Sequence, residues 1–104
     1  MATKRNLVMD QGADFSQSVT LENDDIDLND YDIRGKMRKH HTSLNAYSFT
    51  CVASNSSTLV FMMGNADTSD IPDGNYVYDV EIEAANTVYR VIEGLITVTP
   101  GVTY

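Results

Sequence analysis

The sequence has no tryptophan, one cysteine, two prolines and few cations: seven Lys and Arg stand against fifteen Asp and Glu in 104 residues. Each shortage excludes something. The single thiol, Cys51, cannot close an internal disulfide, so no disulfide framework holds the fold. It lies in an alternating apolar stretch, where a free cysteine behaves as a small hydrophobe. The net charge of −8 argues against a general affinity for nucleic acid or anionic membranes, because a phosphate footprint needs a net basic face. No apolar run approaches the roughly 20 residues of a membrane span. Met1 to Asp10 offers only Leu7, Val8 and Met9 as an apolar core, short of a signal segment, which points to a soluble product of a cytoplasm. A nucleophile elbow, a phosphate-binding glycine loop and metal-ligand spacings are also missing, so neither an enzyme nor a cofactor protein is expected.

What is present is period-two alternation. Phe15, Val19 and Leu21 share one parity. Tyr31, Ile33, Gly35 and Met37 alternate with Asp32, Arg34, Lys36 and Arg38, which reads as a half-buried strand with its charges in water. Gly35 on the inner parity predicts a bulge or a close approach by another group. Tyr47 to Ala53 alternates and reaches Leu59–Met63 through the polar turn Asn55–Ser57, a hairpin. Tyr76–Ile82 and Thr87–Thr99 form a second hairpin across Ala84–Asn86. A parity break near Glu93–Gly94 predicts a bulge there, the alternative being a strand covered on both faces. Helix is confined to one turn over Asn65–Ile71, capped by Asn65 or Asp67 and ended by Pro72, Asp73 and Gly74. Residues 1–104 are therefore expected to form one all-β domain of about six to seven mostly antiparallel strands, a β-sandwich or small barrel.

Three charged features are candidates for function. The stretch Glu22–Asp32 holds six carboxylates, and Asp25, Asp27 and Asn29 match the first three ligand places of an EF-hand loop. Asp30 then stands where that loop needs Gly, and Lys36 where it needs Glu, so a solvated turn with Ile26 and Leu28 as apolar plugs is the better reading. His40 and His41 are neighbours on an extended chain, so their rings point apart and do not converge on one metal. Arg34, Lys36, Arg38 and Lys39 are four of the seven basic residues. They read as a wet strand face or as a docking face for an acidic neighbour, such as the Glu22–Asp32 loop of another copy. A free end, Met1–Asn6 or Pro100–Tyr104, is expected to add a strand to a neighbour's open sheet edge. The candidate interaction residues are thus Arg34, Lys36, Arg38, Asp25, Asp27 and Tyr104.

Three segments carry a resemblance: DIDLNDYDIRGKMRKH (Asp25–His40), DGNYVYDVEIE (Asp73–Glu83) and YRVIEGLITVTPGVT (Tyr89–Thr103). In this order they resemble small virion structural proteins of tailed phages and the N-terminal attachment domain of baseplate and receptor-binding proteins. The resemblance implies an immunoglobulin-like β-sandwich that binds other virion proteins in a symmetric, multi-copy assembly, located in the virion. Such attachment domains usually precede a distal module. The chain's end at Tyr104 favours an adaptor, a tail or baseplate component, or a capsid decoration protein. The rival reading from the residues is a carbohydrate-binding module using Tyr31, Tyr47, Tyr89 and Tyr104. A small hydrolase ranks third.

Overall fold

Alternation carries through to eight strands in the computed structural model, which describes residues 3–21, 27–39 and 46–100. The strands are β1 (Thr3–Lys4), β2 (Leu7–Asp10), β3 (Phe15–Thr20), β4 (Asp32–Arg38), β5 (Ala46–Ala53), β6 (Thr58–Met63), β7 (Gly74–Ala84) and β8 (Thr87–Thr99). A 3-10 turn spans Leu28–Asp30, and one helical turn, α1, spans Asn65–Thr68. The fold is all-β, as the sequence predicts.

Hydrogen bonding runs in the order β1-β8-β7-β4-β5-β6-β3, with β2 also on β8. β5 serves both ends of this path. Its Ala46–Phe49 half pairs with β4, and its Thr50–Ala53 half pairs with β6. The sheet curls at that point, so β8-β7-β4 and β5-β6-β3 face one another across the core. Inward parity supplies the core: Met37, Phe49, Leu59, Phe61, Tyr78, Val80, Ile82 and Ile96 are all buried. Phe61 lies at its centre, with ring centroids of Phe49, Tyr78 and Phe15 at 5.2, 5.9 and 6.2 Å. Rings at such distances gain edge and offset contacts beyond their area burial.

Both predicted hairpins are present. The β5–β6 turn is closed by Asn55, whose Oδ1 accepts from the Ser57 and Thr58 amides, each at 2.9 Å. Gly35 makes the predicted close approach without a bulge. A Cβ there would meet Val80 Cγ2 at 2.9 Å and Phe49 Cδ2 at 3.1 Å. Tyr76 and Tyr78 bury their rings and keep their hydroxyls bonded, to the Pro72 and Arg5 carbonyls, both at 2.7 Å.

Three expectations are corrected. The N-terminal segment is not a free end where it is described: Thr3–Lys4 pairs in parallel with Ile92–Glu93, and Leu7–Asp10 with Ile96–Thr99. Gly94 makes this possible, because a Cβ at that position would overlap the Arg5 carbonyl oxygen. These two short pieces raise the strand count to eight. The bulge in β8 falls earlier than Glu93–Gly94. Consecutive Val80 and Glu81 face Ile92 and Arg90, so Val91 is the extra residue, and both Val91 and Ile92 are buried. The helical turn is shorter than expected and is capped from outside: neither Asn65 nor Asp67 caps it, and Asp14 Oδ1 accepts from the Asn65 amide at 2.8 Å.

Candidate interaction surface

The outward parity of β8, β7 and β4 is where the charge gathers. Pairing across the sheet sets it in rows: Arg34 faces Glu81, which faces Arg90; Lys36 faces Asp79, which faces Glu93; Arg38 faces Val77, which faces Leu95. Asp79 opposite Glu93 is a like-charge pair, which alone destabilises a sheet. Arg90 resolves it, with its guanidinium 3.5 Å from Asp79 and 4.0 Å from Glu93. Arg34 likewise reaches diagonally to Glu83 at 2.9 Å, and to Glu81 at 3.9 Å. Both arginines are about half exposed, so each pair contributes roughly 0–1 kcal/mol and is screened by salt.

The basic stripe thus has acidic strand neighbours within its own sheet. An open groove of about 440 Å³ lies between Arg34, Lys36, Arg38, Asp79, Glu81 and Arg90. Four cations and two carboxylates border it, and with Glu83 and Glu93 at its margins the face balances its charges on a protein of net charge −8. Lys36 stands in the middle row with no ion pair among the described residues. Lys39 turns away from this face, its ammonium 5.0 Å from the centre of the Tyr76 ring, a cation–π contact beside Gly74.

The other candidate residues do not join this groove. Asp27 caps the 3-10 turn, its Oδ1 accepting from the Asn29 amide at 3.0 Å. Leu28 is buried, as an apolar plug should be. Asp25, Ile26, His40, His41 and Tyr104 lie outside the described residues. Among the described residues no cluster of three His, Cys, Asp or Glu side chains could hold a metal.

A second, shallower cleft opens where β5 leaves β4, bordered by Tyr31, Ile33, Cys51 and Val52. Burial pushes the Cys51 thiol up from 9.0 to about 11, which keeps it protonated near neutral pH. A protonated thiol is a weak nucleophile and a poor metal ligand. Its sulfur lies 3.8 Å from the Phe49 carbonyl oxygen and packs against the core. Every aromatic ring among the described residues is buried or half-buried, and Tyr31 and Tyr47 pack against Tyr89 and Tyr76. They present no exposed flat platform for a sugar ring.

Sequence reasoning missed Thr68, the one fully buried polar side chain among the described residues. Its hydroxyl donates to the Ala13 carbonyl at 2.9 Å and accepts from the Gly12 amide at 3.1 Å, fastening α1 to the β2–β3 connection. No short-range pattern marks such a role, because its partners lie more than 50 residues away.

No protein-family model matches the chain, and no curated protein matches it by sequence. Solved structures do match in fold. InlP of Listeria monocytogenes superposes with a TM-score of 0.53 at 12% identity, over 94% of this chain and 28% of that one. A putative glycoside hydrolase of Bacteroides vulgatus superposes with a TM-score of 0.59 at 11% identity, over 95% of this chain and 17% of that one. The chain spans less than a third of either protein, and at these identities the likeness is one of fold alone.

Proposed function

We propose that this chain is a non-catalytic binding module of a phage virion, an adaptor or a component of a tail, baseplate or fibre attachment that docks on other virion proteins. One observation carries the reading. The first phage-like segment is far from the other two in sequence, yet the three form the adjacent strands β4, β7 and β8. Their polar members Arg34, Asp79, Arg90 and Glu93 fall on one outward face, where Arg90 pairs with Asp79 and Glu93, and Arg34 with Glu81 and Glu83. Core packing explains the inward residues of these segments but not their charged outward set. A surface kept for contact with another protein explains both.

The strand order supports the finer fold reading. In an immunoglobulin-like sandwich β4, β7 and β8 would take the places of C, F and G, and β3, β6 and β5 those of B, E and D. On this reading β5 is a D strand that also pairs with C. The groove's alternating cations and carboxylates suit a partner surface of complementary charge pattern, and such complementarity mainly sets orientation and on-rate.

Mass spectrometry and cryo-electron microscopy of purified particles from a phage carrying this gene test the proposal. The expected result is this chain at a fixed copy number, with the Arg34–Arg90 face against a neighbour. Purified infectious particles without it would refute the proposal.

A further inference from the structure

We propose that β3 is a self-association edge, and that two copies join β3 to β3, antiparallel, about a two-fold axis. The two ends of the hydrogen-bonding path are built differently. At the β8 end, β1 has two residues and β2 four, and Lys4, Arg5 and Asp10 are exposed there. Short, charged edge strands are a common protection against strand addition. At the other end, β3 runs Phe-Ser-Gln-Ser-Val-Thr, in register with β6 over six consecutive pairs. It has no charge, no proline and no bulge, and among the described residues no strand lies against its other side.

Charge selects a second copy as the occupant. A protein of net charge −8 repels itself over most approaches. The outward side chains of the β5-β6-β3 layer are Thr50, Val52, Thr58, Val60, Met62, Ser16, Ser18 and Thr20, with no ionisable group among them. Within the span Ser16–Thr20 two copies meet without like-charge cost. The edge is also self-complementary. Pairing Ser18 with its own symmetry mate sets Ser16 opposite Thr20 and Gln17 opposite Val19, so parity is kept and both cores stay on one side. Hydroxyl then faces hydroxyl on the outer surface. The layer already uses that chemistry, since Thr20 and Thr58 Oγ1 lie 3.1 Å apart across β3 and β6. Such cross-strand hydroxyl pairs are favourable. The contact is isologous and consumes both β3 edges, so it closes at a dimer and does not grow into a fibre.

The inference goes beyond the virion proposal and stands or falls separately, because the purified chain alone tests it. Sedimentation equilibrium of the wild type should give twice the 11.5 kDa chain mass. Ser18→Lys, at an exposed position, should return the mass to one chain with an unchanged circular dichroism spectrum, and Ser18→Pro should do the same. Val8→Lys, on the opposite edge, should leave the dimer intact. In a Cys51→Ser background, Ser18→Cys should oxidise to an inter-chain disulfide, since directly opposed residues of an antiparallel pair lie within bridging distance. A wild type of one-chain mass up to about 1 mM overturns the inference. So does a dimer that Val8→Lys breaks and Ser18→Lys does not.

Discussion

The hydroxyl of Tyr78 donates a 2.7 Å hydrogen bond to the carbonyl of Arg5, reaching past its β8 partner Gly94 to the strand segment beyond. The bond spans 73 residues of sequence and ties the N-terminal segment to β7. Gly94→Ala should cost about 1–3 kcal/mol, because the backbone of Arg5 occupies the space its methyl needs. Tyr78→Phe should cost about 1 kcal/mol by loss of the bond alone. Urea titration reads both. Hydrogen exchange should show protection falling first over Leu7–Asp10 in the Gly94 variant.

Thr68→Val keeps the shape and removes the hydroxyl. The Ala13 carbonyl and Gly12 amide then lose their partner at a buried site, which should cost about 1–3 kcal/mol. Thr68→Ser retains the hydroxyl and should recover most of that loss in the same thermal melts.

Arg90→Gln removes the cation that stands between Asp79 and Glu93. The variant should lose up to about 1 kcal/mol at low ionic strength, with the difference shrinking as salt is added. Stability unaffected by salt in both proteins would contradict this account of the rows.

The β7–β8 loop carries Ala85 at φ 53°, where a side chain is strained. A hairpin loop with its first central residue at positive φ favours glycine there. Ala85→Gly should therefore raise stability by up to about 1 kcal/mol, the relief of strain being partly offset by glycine's greater unfolded freedom. Differential scanning calorimetry measures it.

Burial raises the Cys51 thiol to about 11 and the Tyr78 phenol to about 12. Both groups hold their proton longer folded than unfolded. Their stabilisation is complete below pH 9 and declines as pH climbs from 9 through 12, since the unfolded chain ionises first. Melting temperature should fall across that window, less steeply in a Cys51→Ser variant. Thiol alkylation at pH 8 should be slow in the native protein and fast in denaturant.

Much of the fold was legible because alternation is a local signal. Tyr31 to Met37 and Tyr76 to Ile82 show their inner faces directly, and the turns at Asn55–Ser57 and Ala84–Asn86 join them into hairpins. The parallel strands β1 and β2 were not legible, since Leu7 and Met9 alone are too short a pattern and their partner lies at the far end of the chain. The bulge at Val91 was displaced because Gly94 draws attention to itself for a different reason, the passage of Arg5. On the outward face, the basic stripe was visible in sequence. Its acidic complement on β7 was visible too, but only the register shows that Glu81 and Asp79 fall opposite Arg34 and Lys36.

Because Ala46–Ala53 belongs to both layers, the two halves of the molecule are not separable plates. A load entering at β3 travels through each ladder in turn before it reaches the N-terminal strand. A chain wired in this series fashion should unfold as one cooperative unit, with neither half stable alone.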